Sequence, residues 1–135
     1  MKSWREKLAE EKTPISKTID KKFAGIPAGA TMYISTPQEI DRYVRSIKRG
    51  KTKSPQDMRA ELAAGGGAEY TCPVTTGIFL RIVAEAAFEE LQAGKAVTRI
   101  TPFWRVIEPD SNLAKKLSFG TDLIRERRSI EKIDR

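Results

Sequence analysis

The chain has 135 residues, 39% hydrophobic and 32% charged, enough apolar material for one modest core in one or at most two small domains. Its net charge is +7, it has no histidine, and Cys72 is its single cysteine. These counts exclude an intrachain disulfide framework, Ser-His-Asp and Cys-His catalysis, and His-ligated zinc. No run approaches the roughly 18 apolar residues of a membrane span. The opening Met1-Lys2-Ser3-Trp4-Arg5-Glu6 has no apolar stretch behind its charges, so it does not read as a secretory signal. The expectation is a small cytoplasmic protein, with no membrane contact, no metal and no cofactor.

Residues 1–30 scatter Trp4, Leu8, Ile15, Ile19 and Phe23 among lysines, and Gly25, Pro27 and Gly29 interrupt any helix. They are expected to form a partly flexible N-terminal extension, with the domain proper over 31–135. Met32-Tyr33-Ile34 reads as a short edge strand. Thr36-Pro37-Gln38-Glu39 is a capping box opening a helix that buries Ile40, Tyr43, Val44 and Ile47 and ends near Gly50. Ser54-Pro55-Gln56-Asp57 repeats the device, with Met58 and Leu62 as apolar positions and Gly65-Gly66-Gly67 as the stop. A longer helix is expected from about Thr75 to Leu91. Its apolar face is Ile78, Phe79, Ile82, Val83, Ala86 and Ala87, and Arg81, Glu85 and Glu89 lie opposite. Val97-Thr98-Arg99-Ile100 reads as a strand, and Pro109 to Asn112 as a loop. Thr121-Asp122 caps a last helix running to about Ile133, with Leu123, Ile130 and Ile133 facing the core. This order predicts a mostly α fold with a small β wing, a winged helix-turn-helix.

Charge is unevenly spread. Residues 41–60 carry seven basic and two acidic side chains, whereas residues 61–94 carry Arg81 against five glutamates. A basic segment of this kind points to a polyanionic partner, nucleic acid first.

Three segments from Pro37 onward carry a resemblance. Ile47-Lys48-Arg49-Gly50-Lys51-Thr52-Lys53-Ser54 is similar to the Ile-Pro-Tyr-Gly-Glu-Thr-x-Ser/Thr turn of the O6-alkylguanine-DNA alkyltransferases and alkyltransferase-like proteins. Pro102-Phe103-Trp104-Arg105-Val106 falls on that family's reactive Pro-Cys-His-Arg-Val motif, and Gly120 with the helix after it on its Gly-Gly turn and closing helix. The family transfers an alkyl group from a flipped guanine to the motif cysteine. Phe103 and Trp104 stand at the cysteine and histidine positions, and neither can act as nucleophile or proton relay. The resemblance therefore implies a non-catalytic protein that binds double-stranded DNA. The alternative is a winged-helix scaffold for a protein partner, with no DNA role.

The residues expected to meet DNA are Lys48, Arg49, Lys51, Lys53, Ser54, Thr75, Thr76 and Arg81. Ser54, Thr75 and Thr76 sit at helix starts, where a hydroxyl either holds a phosphate or only caps the helix. One alignment of the recognition helix puts Arg81 at the family's base-replacing arginine; a second, anchored on Pro73, puts Gly77 there. Pro55 replaces the family's flipping tyrosine. Pro102, Phe103, Trp104 and Arg105 form the vestigial active-site loop, its two aromatics either stacking on an extruded base or plugging the site. Arg105 is expected to support the loop, and Cys72 to be buried.

Overall fold

In a computed structural model, residues 2–133 are described; Met1, Asp134 and Arg135, at the ends of the two expected segments, lie outside that range. The molecule is mostly helical with one small sheet. In chain order come α1 (Trp4–Ala9), β1 (Ile15–Thr18), β2 (Thr31–Ile34), α2 (Pro37–Ser46), α3 (Pro55–Gly65), β3 (Tyr70–Thr71), α4 (Pro73–Gln92), a 3-10 turn at Phe103–Arg105, α5 (Asn112–Lys116) and α6 (Asp122–Ile130).

The two short helices start where their sequences say. The Thr36 hydroxyl accepts from the Glu39 N–H, but the Glu39 carboxylate does not close the box. It takes the Tyr33 hydroxyl instead, at 2.7 Å to either oxygen. Burial first, then that hydrogen bond, pushes the Tyr33 phenol up to about 12. Ser54 and Asp57 do form the reciprocal box on α3. At the end of α3, Gly66 lies against the Tyr33 ring, where a Cβ would come within 2.6 Å of ring carbons.

The sheet order is β1-β2-β3, antiparallel between the first pair and parallel between the second. Thr31–Ile34 is thus the central strand rather than the expected edge. Residues 1–30 supply its partner, with Ile15 opposite Ile34, and supply α1, which packs on α4. Two backbone amides of α1, Trp4 and Arg5, donate to the Glu89 carboxylate at 3.1 and 2.8 Å. Both pieces of the expected extension are therefore built into the fold.

Three other expectations are corrected. Residues 97–100 form a turn, not a strand; among the described residues no strand pairs with Val97-Thr98-Arg99-Ile100, and the Arg99 N–H bonds back to the Ala96 carbonyl. The expected loop at Asn112 is α5, capped by Ser111. The last helix ends at Ile130, Thr121 makes no side-chain capping bond, and Ile130 is exposed while Ile124 is buried. The sheet thus comes before α2 and between α3 and α4, with no strand after α4 among the described residues.

The main core joins α2, α3, α4, the 103–107 segment and α6 through Ile40, Val44, Met58, Leu80, Val83, Phe103, Trp104 and Ile124. Cys72 is buried in a smaller cluster with Ile19, Ile26, Ala30 and Met32.

Candidate nucleic-acid interface

Phe103 and Trp104 lie in the core, 0% and 1% exposed, so neither offers a face to a base. Phe103 meets Trp104 edge-on at 5.3 Å and Phe119 at 5.5 Å, and Phe119 stacks on Phe88 at 4.3 Å. Pro102 opens the 3-10 turn, and the peptide after it is held by the Phe103 N–H bond to the Thr101 carbonyl.

The polar edges of this loop converge on Glu131, a residue sequence reasoning missed. Its carboxylate receives Arg105 through both Nε and Nη2, each at 2.9 Å, the Trp104 indole N–H at 2.8 Å and the Gly50 N–H at 3.2 Å. The Glu131 side chain is wholly buried. Burial alone pushes its pKa up. The Arg105 and Trp104 hydrogen bonds, the Gly50 N–H and the Arg105 charge outweigh that and hold it at about 2. Arg105 also donates from Nη1 to the Ile47 carbonyl at 2.7 Å, while its own carbonyl accepts the Lys53 N–H at 3.0 Å. Arg105 therefore supports the loop as expected, and it holds both ends of the 47–53 turn as well. Gly50, at φ +82°, supplies the left-handed step that the turn requires.

On that fixed turn, Lys48, Arg49 and Lys51 are exposed and form no ion pair among the described residues. Lys53 is exposed but paired with Glu61 at 3.1 Å, and Ser54 is engaged in its capping box. Thr76 leaves the expected contact set: it is buried and its hydroxyl donates to the Cys72 carbonyl at 2.6 Å. The Thr75 hydroxyl is shielded from solvent and has no partner among the described residues.

The long helix differs most from expectation. Glu85, expected on an exposed face, is 1% exposed and accepts the Ser118 N–H at 2.7 Å and its hydroxyl at 2.5 Å. Glu89 holds α1. Arg81 sits between the Glu85 carboxylate at 3.6 Å and the Trp4 ring, whose centroid is 5.2 Å from its guanidinium carbon. Near its start the helix exposes apolar side chains: Val74 and Ile78 are 50% and 55% exposed, and with Trp4, Gly77 and Leu113 and the cations Lys7, Arg81 and Lys116 they line a cavity of about 540 Å³. Ile78 was expected in the core.

A second cavity, of about 320 Å³, lies beside the basic turn. Arg45, Arg49, Arg99, Arg105 and Arg127 line it, with Trp104. Among the described residues, no group of three or more Cys, Asp or Glu side chains is placed to hold a metal ion, and no helix is long and apolar enough to cross a membrane. Compared with family models, curated proteins and solved structures, the chain matches none of them.

Proposed function

We propose that this protein is a non-catalytic DNA-binding protein whose DNA-facing element is the basic turn, with the alkyltransferase resemblance describing its ancestry rather than its chemistry. The observation that carries this reading is the turn itself: three exposed cations, Lys48, Arg49 and Lys51, with no ion-pair partner among the described residues, on a backbone fixed at Gly50 and Lys53 by Glu131 and Arg105. Cations held in place need little ordering when they meet a phosphate backbone, and their contacts position without reading sequence. Fluorescence anisotropy with a short duplex tests it. Three phosphate contacts give a slope of about −3 in log K against log salt. No binding at low salt, or binding indifferent to salt, would contradict the reading.

No alkyl transfer is expected, because Phe103 occupies the acceptor position and Cys72 is buried. Transfer of labelled methyl from O6-methylguanine DNA to Cys72 would overturn that. The buried aromatic pair supports the plugged-site alternative, so duplexes with and without O6-methylguanine should bind equally. A preference of about tenfold, or 1.4 kcal/mol, that is abolished by Arg81→Ala would reinstate damage reading.

The protein-partner alternative draws on a different observation, the open apolar face of α4 at Val74 and Ile78. Val74→Ser/Ile78→Ser separates the two: it leaves DNA binding intact under the proposal.

A further inference from the structure

We infer that the arginine-lined cavity beside the basic turn is a binding site for a phosphomonoester group. Of its five arginines, two are already neutralised: Arg45 by Asp41 at 3.2 Å and Arg105 by Glu131 at 2.9 Å. Glu131 also lines the cavity, but Arg105, Trp104 and Gly50 occupy both its oxygens. Arg49, Arg99 and Arg127 have no carboxylate partner among the described residues, leaving a local charge of three cations around one hollow.

Arg127 is the buried one of the three. It is 8% exposed, its Nε is buried without a hydrogen-bond partner, and its guanidinium sits over the Trp104 ring at 5.4 Å. A guanidinium stays charged at any pH a protein survives, and taking it out of water is costly unless an anion or a set of acceptors compensates. Stacking on an indole offsets only part of that cost. Its neighbour Arg128, equally buried and also with an unpartnered Nε, donates from Nη1 to the Trp104 and Ile107 carbonyls; Arg127 has no hydrogen-bond acceptor among the described residues. An anion in the cavity beside it would supply that compensation, and the cavity is large enough for one.

Three guanidinium groups favour a dianion over the single charge of an internal phosphodiester, and guanidinium forks match phosphate oxygens in pairs. A terminal phosphate on a DNA strand and a free phosphate or small phosphomonoester share that chemistry. The proposal rests on the DNA-binding reading only for which of these sources supplies the group.

The test uses the full chain in two arms. In the first, melting temperature is followed with inorganic phosphate against chloride at matched ionic strength. Phosphate raises it in the wild type and not in Arg127→Met, which keeps the side-chain volume and removes the charge, nor in the exposed variant Arg99→Ala. In the second, duplexes with 5′-phosphate and 5′-hydroxyl ends are compared by anisotropy; a preference of about tenfold for the phosphorylated end, lost in both variants, identifies the DNA end as the source. Stabilisation by phosphate with no DNA binding upholds the cavity and removes the DNA reading. DNA binding with no end preference and no response to phosphate overturns the cavity proposal and leaves the DNA reading standing.

Discussion

The corner formed by the 97–107 loop, the basic turn and α6 contrasts with the face of α4 that carries α1. Both hold arginine beside glutamate and tryptophan, yet they are built for different ends. At the corner, Glu131 is buried among three donors and Arg105 is clamped twice, so the ion pair locks backbone that presents unpaired cations outward. On α4, Glu89 holds α1, Arg81 lies between Glu85 and Trp4 of α1, and the most exposed side chains near the start of the helix are the aliphatic Val74 and Ile78. Charge at one site organises a surface; at the other it attaches a helix. The long helix α4 is thus the less basic of the two faces.

The most severe way to break the contrast is to remove Glu131. Glu131→Ala leaves the Arg105 guanidinium, the Trp104 N–H and the Gly50 N–H without their acceptor, and should cost roughly 3–5 kcal/mol in urea denaturation. A loss below about 1 kcal/mol would mean the pair behaves as a surface salt bridge. The same residue predicts an acid limit. Its pKa falls from 4.5 to about 2 on folding, so its contribution is complete above about pH 4.5 and disappears as pH drops through 2, roughly 3 kcal/mol in all. Denaturation curves from pH 6 to 2 should show this fall, and Glu131→Gln should flatten it. A smaller effect belongs to the α1 face. Glu89→Ala removes the carboxylate that accepts the first amides of α1 and should cost about 1 kcal/mol, with faster proteolysis between residues 10 and 14. Unchanged proteolysis there would show that Trp4 alone holds the helix.

How much of this was legible depends on the range of the interactions. The starts of α2 and α3 were readable because a hydroxyl, a proline and an acid within four residues satisfy their own backbone. The half-open box at Thr36 was not, since Tyr33 competes for Glu39 from outside the helix. Val97-Thr98-Arg99-Ile100 has strand propensity but no neighbouring strand to pair with, and propensity without a partner yields a turn. The corner was missed for a different reason. Arg127, Arg128 and Glu131 look like the solvated charges of a C-terminal helix. Ile124, Arg127, Arg128 and Glu131 are spaced i, i+3, i+4, i+7, the buried stripe of that helix. Reading that stripe for its charges as well as its one isoleucine would have flagged them. Glu85 was misplaced because its acceptor role is toward Ser118, far along the chain.

The central claim is that DNA meets the basic turn and not the long helix. Charge reversal in parallel tests it: Lys48→Glu/Arg49→Glu/Lys51→Glu in one protein and Arg81→Glu in another, both measured by anisotropy on the same duplex at low salt. The turn variant should lose roughly tenfold or more in affinity, at least about 1.4 kcal/mol, with a salt slope shallower by about three, while Arg81→Glu binds like the wild type. An unchanged turn variant beside a crippled Arg81→Glu would return the interface to α4 and contradict the account.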